Sequence, residues 1–251
     1  MLYEMNPQSR FTSRAEDYAK YRPSYSDEVV DCLIANLGDS SNLAAADIGA
    51  GTGISSRLLG DRGIKVTAIE PNAAMRQVAQ KHLLVEFRDA SAEATQLSDN
   101  AVDLVTCFQS FHWFDPEPTL KEFARILKPQ GRLAAVWQNR DRTDEFTQKY
   151  SLLNQAVSNG DSELRNGTER YLRATEWFHP IRHTTFSYSQ ALTRQALIGR
   201  AMSTSYIRQT GETCDRFIED LTLLHEQYAD YQELVYLRYQ TSVYLTELLY
   251  S

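Results

Sequence analysis

A chain of 251 residues and 28.7 kDa is long enough to bury a core of its own, so it does not require a disulfide framework. With 26 Lys+Arg against 33 Asp+Glu, the formal charge of −7 and pI near 5.3 exclude a global positive field that would hold a phosphate backbone, and nucleic acid is not an expected partner. No stretch approaches the ~18 apolar residues of a membrane span, and the three cysteines (Cys32, Cys107, Cys214) are far apart without CxxC spacing. Cys32, Cys107 and Cys214 are expected as buried small hydrophobes. A soluble, cytoplasmic protein is the expectation, because the cysteines show no pairing pattern and "MLYEMNPQSRFTSRAEDYAKYRP" has no basic start followed by an apolar run; a monomer or homodimer is expected.

A short helix around Glu16 to Tyr21 precedes the break at Pro23, after which Ser26 is placed to cap an amphipathic helix carrying Val29, Val30, Leu33 and Ile34. Leu43 to Ile48, Lys65 to Glu70, Val85 to Asp89, Val102 to Phe108 and Arg132 to Gln138 then read as strands separated by helical stretches. This alternation predicts an α/β, doubly wound, mostly parallel sheet. After Asn139 the rhythm changes: Thr143 to Tyr171 reads as helical, and strand patterns return at Ile181 to Ser189 and Glu233 to Leu248, with two helical segments between them and an antiparallel edge expected. One domain is expected, divided into an N-terminal helical lid (1–40), a cofactor-binding core (41–138) and a helical cap with the last two strands (139–251).

"AAADIGAGTG" (Ala44 to Gly53) ends the first strand at Ile48 and places Gly49, Gly51 and Gly53 before the helical run "ISSRLLGD". A glycine-rich turn between a strand's C-terminal end and a helix N-terminus lies in the crevice where doubly wound sheets bind ligands. A dinucleotide fingerprint would read GxGxxG; here the spacing is GxGxG, with Ile54 where the third glycine would fall. Asp47, two residues before Gly49, is expected to aim a carboxylate into the crevice, repelling a pyrophosphate and attracting a cation. S-adenosylmethionine, a cationic nucleoside without phosphate, fits that requirement. Glu70, with Pro71 halting its strand, is placed to accept bonds from ribose hydroxyls, and Asp89 to accept from the adenine amino group while the N–H of Ala90 or Ser91 donates to the ring. Glu70 serves a dinucleotide equally well.

The runs "ADIGAGTG", "AIEPNAAM", "RDASAE" and "VDLVTCFQSFHWFDPEPTLKEFARILKPQGRLAAVW", in that order and spacing, resemble the class I S-adenosylmethionine-dependent methyltransferases, in the type 11, trans-aconitate methyltransferase-like small-molecule group. The resemblance is close from Phe11 to Trp137 and looser beyond Asn139. It implies a Rossmann-like, seven-stranded sheet in the order 3-2-1-4-5-7-6, the seventh strand antiparallel, with a helical insertion forming a substrate cap. It also implies S-adenosyl-L-methionine as cofactor and a small-molecule acceptor. Carried over to this chain, Asp47, Gly49, Ala50 and Gly51 match the first cofactor motif, Glu70, Pro71 and Met75 the second, and Asp89 with Ala90 the adenine clamp. Gln109 and Ser110 match the segment bordering the methionine moiety, and Tyr18 and Arg22 lie in a segment that folds over the cofactor, Arg22 facing the methionine carboxylate.

Methyl transfer from a sulfonium asks mainly for alignment and exclusion of water, and for a base only where the acceptor must lose a proton. In "QSFHWFD", His112 is the candidate base and alternatively a structural hydrogen-bond partner; Trp113 is a candidate substrate wall, as are Ser205 and Tyr206 in "AMSTSYI". "HPIRH" sets His179 and His183 four apart around Pro180 with no further ligand, so no metal is expected. Transfer to an acceptor oxygen, carboxylate or hydroxyl, is the expected activity; a non-catalytic cofactor-binding regulator is the alternative, and a nicotinamide oxidoreductase is disfavoured by the glycine spacing and Asp47.

Overall fold

The computed structural model describes residues 15–158, 169–173, 175–204, 207 and 210–249. Helices α1 (Ala15–Tyr21) and α2 (Asp27–Ile34) lead into β1 (Ala44–Ile48), α3 (Ile54–Asp61), β2 (Lys65–Ile69), α4 (Ala73–Gln77), β3 (Val85–Arg88) and β4 (Val102–Phe108). These are followed by α5 (Pro116–Ile126), β5 (Leu127–Arg140), α6 (Glu145–Ala156), α7 (Glu169–Arg173), β6 (Arg182–Leu192), α8 (Arg194–Met202), α9 (Glu212–Tyr228) and β7 (Val235–Glu247). The seven strands form one sheet in the order β3-β2-β1-β4-β5-β7-β6, with β7 antiparallel to both neighbours. Each expected strand is present, within a few residues of its expected limits. The exception is β5, which begins at Leu127 by pairing with Val102 and continues to Arg140 because β7 pairs with it to Tyr239. Of the helical stretch expected from Thr143 to Tyr171, α6 and α7 account for the described parts, and 159–168 lie outside the described residues.

Two-residue periodicity divides the strands between two apolar layers. Ala46, Ile48, Val105, Cys107, Leu133 and Ala135 face one layer with Leu120 and Phe123 of α5. Ala45, Leu104, Ala134 and Val136 face the other with Val29, Val30 and Leu33 of α2 and Leu59 of α3. A third cluster joins α6, α8 and α9 to Leu192, Val235, Leu237 and Tyr239 at the antiparallel end of the sheet. There α1 rests on α8: a Cβ at Gly199 would come within 2.6 Å of three Tyr21 ring atoms, so only glycine lets the two helices meet. Cys107 and Cys214 are buried and Cys32 is half-buried, all as free thiols. Ser26 occupies the N-cap position of α2 without a side-chain capping bond.

Register fixes which residues leave the sheet together. Ile48 pairs with Ile69, and Ile69 with Arg88, so Gly49, Glu70 and Asp89 emerge side by side at the carboxyl edge. Gly49, Gly51 and Gly53 all have positive φ (68°, 59° and 74°), the last at the N-cap of α3. A Cβ at Gly53 would also lie 2.7 Å from the Phe87 ring. Gly53→Ala is therefore expected to destabilise by about 2–4 kcal/mol, combining left-handed backbone cost with overpacking, and urea denaturation at fixed m-value reads this directly.

Candidate functional site

Two adjoining cavities open at the carboxyl edge of the sheet, and Tyr18, Gly49, Gly51, Phe108 and Gln109 line both. The first, of about 430 Å³, lies over the tips of β1, β2 and β4. Glu70 is on its wall, 8% exposed, with Oε2 accepting from the Gly51 N–H and Oε1 from the Asn72 N–H, each at 2.8 Å. A carboxylate offers about four acceptor positions, so each oxygen keeps one for a ligand hydroxyl. Burial pushes the Glu70 carboxyl up, opposed by those two N–H bonds and by Arg76.

The same cavity is lined by Pro71, Met75, Ala90, Ser91 and Ser110, by Trp113, which the sequence offers as a substrate wall, and by Asn72, Glu93, Phe114 and Asp115, which it does not single out. Among the described residues, its charged lining residues are all acids. Asn72 caps α4 by accepting from Ala74 and Met75 N–H, which fixes the turn after Pro71. At Gly51 a Cβ would meet only Met75 Cε, at 3.4 Å, and both residues face the cavity. Ser110 Oγ donates to Ile48 O at 2.6 Å, tying β4 to the glycine turn, and a Cβ at Gly49 would lie 2.6 Å from Ser110 Cβ.

Gln109 sits where the two cavities meet and holds a positive φ of 56°. A non-glycine residue in this region stores strain. Its Nε2 donates to Gln138 O at 2.8 Å, while its buried Oε1 has no partner among the described residues. A buried acceptor left without a partner is costly.

Several expectations need correction. Asp47 does not line either cavity. It pairs in register with Ala68 and Thr106, two residues deeper than Gly49, and alternation turns it towards α3 with Ala45. Its carboxylate, fully buried, accepts from Ser55 Oγ (2.7 Å), Ser56 Oγ (2.6 Å) and Thr106 Oγ1 (2.8 Å). Burial raises its pKa and the three hydroxyls oppose that rise. Asp89 emerges at the edge, but its exposed carboxylate pairs with Arg76 Nη2 at 2.7 Å and is off the cavity wall. His112 is 3% exposed, accepts from Trp137 Nε1 at Nδ1 (3.3 Å), and lines neither cavity. This places His112 as a structural partner and not as a base facing a ligand. Ser205 and Tyr206 lie outside the described residues.

The second cavity, of about 420 Å³, runs from the glycine turn to the cap. Ala50 and the expected Arg22 line it, Arg22 lying 4.5 Å over the Tyr18 ring and donating to Ser203 O. Arg140, Arg142 and Arg200 line it as well, none of which the sequence reading singled out. Among the described residues no group of three or more His, Cys, Asp or Glu side chains is placed to hold a metal, and no helix is long and apolar enough to cross a membrane.

Comparison with known proteins places this geometry. A family model described as a methyltransferase domain matches residues 46–135. An uncharacterized methyltransferase-like protein of Schizosaccharomyces pombe is 30% identical over 204 residues, 80% of each chain. A second uncharacterized methyltransferase of the same yeast is 34% identical over 145 residues, where the match spans 57% of this chain and 58% of the relative. Among solved structures, one from Anabaena variabilis, assigned as a methyltransferase of an antibiotic biosynthesis pathway, superposes with a TM-score of 0.64 at 22% identity, covering 92% of this chain and 98% of that one; this shows a shared fold.

Proposed function

Because the chain belongs to the S-adenosylmethionine-dependent methyltransferases, we propose that its first cavity holds the methyl donor's nucleoside and that the acceptor is a small molecule methylated on oxygen, a carboxylate or a hydroxyl. The observation that carries this reading is the Glu70 carboxylate, fixed by the Gly51 and Asn72 N–H groups on a wall where no Lys, Arg or His stands among the described residues. A ribose offers two hydroxyls to such a group. Met75 and the backbone at Ala90 and Ser91 would border the base, and Gln109 would border the amino acid end, with Tyr18 and Arg22 of the N-terminal lid above. S-adenosylmethionine supplies an electrophilic methyl group on a sulfonium. The protein's share is to hold the acceptor at the junction beside Gln109 and to keep water out.

Asp47 acts at one remove in this reading. It ties β1 and β4 to the start of α3 and so holds the glycine turn in shape. Calorimetric titration with S-adenosylhomocysteine and with NAD is the direct test: the first is expected to bind and the second not, and binding of NAD alone overturns the proposal. Transfer of labelled methyl groups to a metabolite panel separates an enzyme from a non-catalytic cofactor-binding regulator, for which turnover would be absent despite binding.

A further inference from the structure

The sheet ends on two edge strands that differ in their protection. At one side β3 is four residues long and carries Glu86 and Arg88, and short, charged strands resist added partners. At the other, β6 runs eleven residues, Arg182–Leu192, paired to β7 residue by residue without a bulge. It contains no Pro, Lys, Asp or Glu, and its one permanent charge, Arg182, stands at its first position and pairs with Glu247 at 2.9 Å. Among the described residues no backbone hydrogen bond joins residues 182–192 to anything but β7. Thr184, Thr185, Ser187, Ser189 and Ala191 are exposed. Shortness, bulges, Pro and charge along the strand are the usual means of blunting an edge; without them β6 is a template for a further strand.

The strand that β6 matches is β6 itself. Antiparallel pairing about Ser187 sets Phe186 opposite Tyr188 of a second copy, Thr185 opposite Ser189, and Ser187 opposite its own mate. Alternate residues share a face, so the aromatic pairs meet on the face where Phe186 packs against the α2 layer and Tyr188 against the third cluster. The hydroxyls meet on the other. Aromatic pairs and Thr–Ser pairs across strands are both favourable. Arg182 falls opposite Leu192, so the two Arg182 positions lie ~34 Å apart along the ladder, several Debye lengths at physiological salt. Although each chain carries a formal charge of −7, pairing brings no like charges together along the strand. We infer that β6 is the contact surface of a twofold homodimer, in which the sheets of two copies join into one. The relation is isologous and closes at two copies. Among the described residues none of β6 lines either cavity, so pairing leaves both open.

The test is the mass of the full chain in sedimentation velocity across a micromolar concentration series. A species of twice the 28.7 kDa chain mass is expected. Ser187→Lys and Ser187→Glu each place like charges on the twofold axis and should weaken association roughly tenfold or more at low salt. An equimolar mixture of the two variants should restore it to within about threefold of the parent, because Lys then faces Glu. Thermal melts check that each variant folds. Should a charged variant fail to do so, Ser187→Cys decides the matter: oxidised with diamide, it should cross-link two copies through a disulfide, above the background of the parent's own thiols. Thr185→Cys should not, since its mate lies four residues along the ladder, about 14 Å away, beyond the reach of a disulfide.

A chain that stays at monomer mass throughout the series overturns the inference and leaves the edge to an extended peptide or to no partner. Undiminished association in both charged variants would put the contact elsewhere on the molecule and overturn it equally. So would a mixture no tighter than the single variants, or Thr185→Cys copies that cross-link as readily as Ser187→Cys.

Discussion

Replacing Glu70 with Ala is expected to lower the affinity for S-adenosylhomocysteine by roughly 100-fold or more, because two hydrogen bonds to a charged acceptor, each contributing about 1.5–3 kcal/mol, are lost together. Two backbone N–H groups, of Gly51 and Asn72, lose their acceptor at the same time. Glu70→Gln is no neutral substitute: whichever way the amide turns, its NH2 faces one of those N–H groups. The pH dependence has a definite sign. Burial raises the Glu70 pKa, and the carboxylate is the form that accepts from a ribose, so affinity declines as pH falls through that raised value. Glu70→Gln should abolish the slope along with most of the binding. Folding responds in the opposite sense, because a raised acid pKa means the native state holds the proton more tightly than the unfolded chain, so this group's contribution to stability grows as pH falls. Calorimetry at several pH values, with thermal melts alongside, separates the two effects; an unchanged affinity in Glu70→Ala would remove the nucleoside from the first cavity.

Asp47→Ala should act first on stability. Three hydroxyls lose their common acceptor and a void opens beneath the glycine turn, at a cost on the order of 3 kcal/mol. In a domain of this size that lowers Tm by about 6–12 °C. Asp47→Asn should cost less, since its amide still meets hydroxyls that both donate and accept, and no buried charge remains to be stabilised. The raised native pKa of Asp47 means that its ionisation opposes folding, so the deficit of the Asn variant relative to the parent widens as pH falls through that value. Affinity for S-adenosylhomocysteine, measured well below Tm, should fall less than in Glu70→Ala. Loss of binding with an unchanged melt would instead put the Asp47 carboxylate in direct contact with the ligand.

These two acids show what was legible in the sequence. The strand rhythm and the glycine spacing located the crevice, and Pro71 marked Glu70 as a strand-tip residue. Asp47 looked equivalent by proximity to Gly49. The two-residue alternation that sends Ala45 to the α2 and α3 layer sends Asp47 there too, and that signal was present in "AAADI". Asp89 could not be resolved in the same way, because its pairing with Arg76 depends on how α4 lies against the edge of the sheet. His112 was ambiguous for a related reason: only the packing of Trp137 decides which way the ring faces.

The arginine wall was hidden by its origin in three separate elements. Arg140 reaches it because β5 is longer than its hydrophobic run, Arg142 follows in the turn, and Arg200 comes from α8 on the far side. One cue existed: Leu197, Arg200 and Ala201 occupy one buried helical stripe, where an arginine is uncommon.

The seating of Tyr21 on Gly199 places α1 beside the residue that precedes Arg200, while Tyr18, one turn back, faces both chambers. Through Tyr18 one short helix thus contributes a wall to both chambers. A ligand that fixes Tyr18 from one chamber is expected to change affinity in the other, by the same factor in either order of binding.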